Sequence, residues 1–217
     1  MNTNPKAKRI LCFGDSNTRG MIPVVGGFYP VALSWPGQVQ NMLGDKFEII
    51  AEGLYGRTII VKEVGKPFKT GITHLEAILK SHIPLDLLII MLGTNDVKGR
   101  HHLNAIQISG HLNQFIVKAR EILEDPKFNI LIICPPAVVV PKSGILAERM
   151  IPGPETFKKL PKLYEKVAKA NNCFYINAGD YVSVFETDGF HMDEMAHKKL
   201  ATVVVRMIQK QFKPLDK

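Results

Sequence analysis

Ser16 stands two residues past Gly14 in Gly14-Asp15-Ser16-Asn17-Thr18, at the turn out of the apolar run Ile10-Leu11-Cys12-Phe13. A hydroxyl at such a turn can point into a cleft. Asp188 and His191 are spaced i, i+3 in Asp188-Gly189-Phe190-His191, and one turn of chain brings such a pair within side-chain reach. A carboxylate so placed can hold one tautomer of the imidazole, which is then free to take a hydroxyl proton. Nucleophile, base and orienting acid are the parts of acyl transfer. The remaining part is a set of donors for the tetrahedral oxyanion. Three candidates exist: the backbone N–H of Ser16, the backbone N–H of Gly53 in Glu52-Gly53-Leu54-Tyr55-Gly56-Arg57-Thr58, and the side-chain amide of Asn95 in Gly93-Thr94-Asn95-Asp96.

Each block alone has a plainer explanation. Gly-Asp-Ser-Asn turns are common, and Asp188 and His191 could simply open a helix. Gly53 and Gly56 could serve a turn with positive φ, and Asn95 could cap a helix. What unites the blocks is their place after successive strands. Five apolar runs read as buried parallel strands: Arg9–Phe13, Phe47–Ala51, Asp86–Met91, Asn129–Cys134 and Cys173–Asn177. Segments of helical period lie between them, at Trp35–Leu43, Thr73–Leu79, Leu103–Leu123 and Thr156–Ala170, with Pro161 kinking the last or marking its true start. A final helix runs from the N-cap Asp193 to about Gln211. Alternating strands and helices predict a parallel sheet covered on both faces. Ligands bind such sheets outside the carboxyl ends of the strands, the rim where all four blocks fall.

A length of 217 residues fits one domain, 1–217, and the balance of 46% hydrophobic to 22% charged residues excludes disordered, collagen-like and coiled-coil chains. No stretch reaches the ~18 apolar residues of a membrane span. The polar first nine residues lack the apolar core of a secretory signal, so a cytoplasmic protein is expected. The net charge of +8 raises nucleic acid as a partner. The basic residues, however, lie on helices and tails without interleaved aromatics, and Lys158, Lys162, Lys166 and Lys169 read as one solvated face; no nucleic-acid partner is expected. Cys12, Cys134 and Cys173 are an odd set in apolar runs, read as buried reduced thiols. No spacing suits a metal site, and His101-His102 read as surface histidines. Asp15 and Asp96 read as ties between rim loops, His197 as a packing or capping residue, and Trp35 as packing at a helix start or lining a pocket.

Taken together the four blocks resemble the GDSL-type SGNH hydrolases, with Ser16 in GDSNTRG, Gly53 in EGLYGRT, Asn95 in GTND, and Asp188 and His191 in DGFH. The resemblance runs from residue 9 to about 210. It implies a three-layer α/β/α, flavodoxin-like fold with a five-stranded sheet in the order 2-1-3-4-5 and no cofactor. It also implies Ser16 as nucleophile, Asp188 and His191 as its partners, and Ser16, Gly53 and Asn95 as the oxyanion hole. SWPGQ, FEIIAEGLYGRT, IPLDLLIIMLGTNDVK and ICPP are similar to the arylesterase/acyltransferase branch. That branch implies small ester substrates, some acyl transfer to alcohols, and homo-oligomers. Segments 20–34 and 137–155 are then expected to face the substrate, and Asn17 stands where the family name has Leu. A carbohydrate O-acetyl esterase or a thioesterase would use the same triad. A flavodoxin-like binding module is the non-catalytic rival; against it, no Gly-rich phosphate loop follows the first strand.

Overall fold

The apolar run after Lys8 becomes a strand buried on both faces. In the computed structural model of the chain, which describes residues 2–63, 65–141 and 153–212, five parallel strands form one sheet. They are β1 (Lys8–Gly14), β2 (Phe47–Gly53), β3 (Leu87–Met91), β4 (Ile130–Cys134) and β5 (Phe174–Asn177), in the order β2-β1-β3-β4-β5. The described helices of four or more residues are α1 (Ser16–Arg19), α2 (Trp35–Leu43), α3 (Gly71–His82), α4 (Ala105–Leu123), α5 (Gly153–Phe157), α6 (Leu160–Ala170) and α7 (Glu194–Gln211).

Side chains alternate across the pleat, so β1 feeds two cores. Leu11 and Phe13 join Leu88, Ile90, Ile130 and Ile132 under α3, α4 and α6, where Leu75, Leu79, Leu112, Phe115, Leu160 and Tyr164 meet them. Ile10 and Cys12 face the other way, with Leu87, Ile89, Leu131 and Ile133 against Trp35 and Val39 of α2 and Leu200 and Val204 of α7. Burying one such side chain contributes roughly 1.5–3 kcal/mol. A one-residue slip would exchange the two sets, and register is thereby fixed.

Helix ends show where local chemistry refined the periodicity. The long helix α4 starts two residues later than Leu103, because Asn104 and Gln107 form a reciprocal capping box. α3 is longer than Thr73–Leu79, running from Gly71 to His82. Thr156–Ala170 is two helices: α5 ends at Phe157, and α6 opens with Pro161 in its first turn, so the proline marks a start. Asp193 caps α7 by accepting from the Ala196 N–H at 2.7 Å.

The carboxyl ends of β1 and β2 set up the site. Gly14 and Gly53 are register partners at the ends of their strands, and α1 folds back over both. A Cβ on Gly14 would lie 1.9 Å from Thr18 Oγ1, and one on Gly53 would lie 2.3 Å from the Arg19 backbone nitrogen. Only hydrogen fits at either position. The short helix was not anticipated; it places Ser16 as its first residue, capped by Asp15, whose carboxylate accepts from the Asn17 N–H at 2.9 Å.

Candidate active site

Ser16, His191 and Asp188 form one line of hydrogen bonds. Ser16 Oγ lies 3.0 Å from His191 Nε2, and His191 Nδ1 lies 2.9 and 3.1 Å from the two carboxylate oxygens of Asp188. A carboxylate only accepts, so Nδ1 carries the hydrogen and Nε2 is left as the acceptor for the serine hydroxyl. Asp188 also accepts from the backbone N–H groups of Phe190 (2.9 Å), His191 (2.7 Å) and Val24 (3.2 Å). Burial alone would raise its pKa; the bonds and charge from His191 and the backbone donors outweigh burial and hold it at about 2. Asp188 is therefore ionised at neutral pH.

The backbone N–H of Ser16 opens α1, where such groups have no acceptor inside the helix. Asn95 lies beside it. Its Nδ2 donates to the Arg57 carbonyl at 3.0 Å and stands a loose 3.4 Å from Asp15 Oδ2, while its Oδ1 accepts from Lys98 Nζ at 2.6 Å. Ser16, Asn95, Asp188 and His191 all line one cavity of about 260 Å³, walled by Met21, Ile22, Val24, Tyr55 and Phe190. Gly53 is not among the lining residues; it packs against the backbone of Thr18 and Arg19 at the end of β2. A larger groove of about 670 Å³ runs beside β5 between α6 and α7, but it holds none of these groups.

Buried polar ties hold the rim together. Arg57 donates to the carbonyls of Gly14 and Glu52, joining the ends of β1 and β2, and its guanidinium lies 4.1 Å over the Phe13 ring. Asp96 accepts from the Ile59 N–H at 3.0 and 3.2 Å, and burial pushes its pKa up to about 7. Asn17 Nδ2 donates to the Phe190 carbonyl, and its Oδ1 accepts from the Met192 N–H, both at 3.0 Å. Asp15 and Asp96 are the loop ties read in the sequence; Arg57, Lys98 and the Asn17 bridge were missed. Of the segments expected to face substrate, Met21, Ile22, Val24 and Gly26 line the cavity, while 142–152 lie outside the described residues.

The geometry is matched by known proteins. Residues 12–199 match the profile of the GDSL-like Lipase/Acylhydrolase family. The chain belongs to this family. Among solved structures of similar fold, a carbohydrate acetylesterase from Sinorhizobium meliloti superposes with a TM-score of 0.89 at 31% identity, covering 94% of this chain and 100% of that one. An inhibitor-bound aryl esterase from M. smegmatis also gives 0.89, at 28% identity, with 94% and 99% covered. An acetylxylan esterase from Xylanibacter ruminicola is 25% identical over 224 residues, covering 94% of this chain. The chain spans 43% of that esterase's length. Fold and family agree with the four sequence blocks, and the sheet order is the expected one.

Several other residues of this GDSL-like chain resolve into support. His197 is buried, and its Nδ1 accepts from the Trp35 backbone N–H at 3.2 Å, so it positions the start of α2. Trp35 is wholly buried in the core and is not among the residues lining the cavity. Cys12 and Cys134 are buried free thiols, whereas Cys173 is only half-buried, 3.8 Å from an Arg120 nitrogen, just before β5 at the sheet edge. Lys158 and Lys169 are exposed and paired with Glu155 and Glu165 at 2.6 and 2.7 Å. No helix among the described residues is long and apolar enough to cross a membrane.

Proposed function

We propose that this protein is a serine esterase that cleaves small carboxylic esters through an acyl-enzyme. The observation that carries the reading is the line Ser16 Oγ–His191 Nε2 (3.0 Å) and His191 Nδ1–Asp188 (2.9 Å). Ser16 attacks the acyl carbon as His191 takes its proton, and the oxyanion is met by the N–H groups of Ser16 and Asn95, both of which line the cavity. His191 returns the proton to the leaving alkoxide, and the alcohol departs. Water then repeats the sequence on the acyl-enzyme and releases the acid; an alcohol in its place gives acyl transfer. The cavity of about 260 Å³ supports a short acyl group.

Acetylated carbohydrate is the second reading, supported by the acetylesterase and acetylxylan esterase relatives. Three unpaired cysteines support a reducing, cytoplasmic setting. Three exposed apolar side chains in one loop, Val24, Val25 and Phe28, support assembly into a homo-oligomer.

The test is hydrolysis of p-nitrophenyl esters from acetate to decanoate, with acetylated xylose oligomers alongside. A rate that falls with acyl length and is abolished in Ser16→Ala supports the reading. Activity that survives Ser16→Ala ends it. Release of acetate from the sugar exceeding that from the aryl ester moves the substrate to carbohydrate.

A further inference from the structure

We infer that Lys98 is a positioning residue that acts through Asn95: its ammonium grips the amide oxygen, and so both aims and strengthens the N–H that meets the oxyanion. The inference rests on the esterase reading above.

An asparagine side chain can turn either its oxygen or its nitrogen to a given neighbour. Lys98 Nζ donates to Asn95 Oδ1 at 2.6 Å, the shortest bond that Asn95 makes. The reverse orientation would set an NH₂ group against an ammonium, so the cation allows one orientation only. Nδ2 then has two hydrogens to place. The Arg57 carbonyl takes one at 3.0 Å. The other has only Asp15 Oδ2 at 3.4 Å, beyond the usual range for a strong bond, and Asn95 lines the cavity beside Ser16.

The same contact alters the donor's strength. A cation on the amide oxygen draws electron density from nitrogen to oxygen and makes the remaining N–H a better donor, most of all in a partly desolvated site. Lys98 is suited to this because it makes no ion pair among the described residues. Burial, Arg100 and Lys69 push its pKa down, against Asp15 and Glu63, to about 8. The ammonium also lies 5.7 Å from the centre of the Phe190 ring. A half-buried ammonium bonded to a neutral amide costs desolvation. A developing negative charge on the far side of that amide offsets this cost in the transition state, which is where it accelerates the reaction.

The experiment compares wild type, Lys98→Met, Lys98→Arg, Asn95→Ala and the Lys98→Met/Asn95→Ala double variant. It reads kcat and KM for p-nitrophenyl acetate. It also reads the affinity for a small alkylboronic acid, whose tetrahedral adduct with Ser16 carries the same negative oxygen. The expected result is a kcat lower by about 10–10²-fold in Lys98→Met with KM within about twofold, and boronate affinity lost by a similar factor. Lys98→Arg recovers most of both. In the Asn95→Ala background the same substitution costs under about threefold, because its partner is already gone. Wild-type kcat falls as the pH rises through about 8, and Lys98→Met lacks that limb. Equal losses in both backgrounds, a raised KM at unchanged kcat, or unchanged kinetics would each overturn the inference while leaving the esterase reading intact. A wild type that neither hydrolyses esters nor binds the boronate removes the esterase reading and this inference with it. Lys98→Gln, with the same readouts, replaces Lys98→Met if that variant does not fold.

Discussion

The side chain of Asn17 bridges the backbone on both sides of His191. Its Nδ2 donates to the carbonyl of Phe190 and its Oδ1 accepts from the N–H of Met192, each at 3.0 Å and fully buried. The residue after Ser16 thus fixes the loop that carries the imidazole. The two ends of the 3.0 Å Ser16–His191 contact are therefore set by one amide.

Asn17→Leu leaves the Phe190 carbonyl and the Met192 N–H buried without partners. The expected cost is about 2–4 kcal/mol in urea unfolding, with kcat lower by about tenfold or more as His191 drifts from Ser16. Asn17→Asp keeps an acceptor for Met192 and loses the donor to Phe190, so its losses should fall between. A kcat within twofold of wild type in Asn17→Leu would show that His191 is held by other contacts.

Gly53→Ala tests the strand ends. The added methyl would meet the Arg19 backbone at 2.3 Å, and backbone cannot swing aside as a side chain can. Displacement of α1 should cost about 1–3 kcal/mol and move Ser16 with it, lowering kcat. Gly110→Ala, in the middle of α4 with nothing within 4 Å of the new methyl, should instead be neutral or stabilising by about 1 kcal/mol. Thermal melts and steady-state rates of the pair decide it.

Stability should fall as the pH drops from about 6.5 to 4, owing to His197. Burial, with the nearby His191 charge against Asp193, holds its pKa at about 4 when folded, against 6.5 unfolded. Between those values the unfolded chain binds the proton and the native one does not, so stability is full above 6.5, declines to about 4 and then levels. The change amounts to at most about 3–4 kcal/mol. Asp188 acts in a lower window: its stabilising effect is present above 3.8 and is lost as the pH falls towards 2. Melting temperatures from pH 7.5 to 4.5 for wild type and His197→Asn should differ in slope; parallel curves would clear His197.

Self-association through the loop of Val24, Val25 and Phe28 should be salt-tolerant and should yield to a charge. Val25 is 84% exposed, so Val25→Asp disturbs no packing within one chain. Sedimentation should show the wild type as an oligomer and Val25→Asp as a smaller species. A wild-type monomer at high concentration would exclude the interface.

The strands were legible because apolar residues cluster in each, unbroken in β3 (Leu87–Met91) and β4 (Ile130–Cys134), where both faces of the sheet are covered. The serine, histidine and acid were legible because short local spacing joins Asp188 to His191 and a strand–turn junction exposes Ser16. What stayed hidden were contacts between distant parts of the chain. Asn17 meets a loop more than 170 residues away, Arg57 clamps Gly14 43 residues away, and neither has a local signature. Lys98 went unremarked because nothing in GTNDVK shows that its ammonium meets the Asn95 side chain. α1 was missed because four residues cannot show a helical period, whereas the start of α6 was one of two readings of Pro161, left open because apolar spacing continues across Phe157–Leu160.

Val24 has a backbone φ of 63°, a conformation that β-branched residues rarely adopt, and its N–H bonds to Asp188 Oδ2 while the residue lines the cavity wall. One loop thus sets both the size of the acyl pocket and the hydrogen bonding of the acid. Natural drift or laboratory selection that reshapes this loop for larger acyl groups also perturbs the proton-transfer chain. Breadth of substrate and speed of turnover are tied together here, and separating them requires changes elsewhere in the lining, at Tyr55, rather than at Val24 or Phe190, whose N–H groups both bond to Asp188.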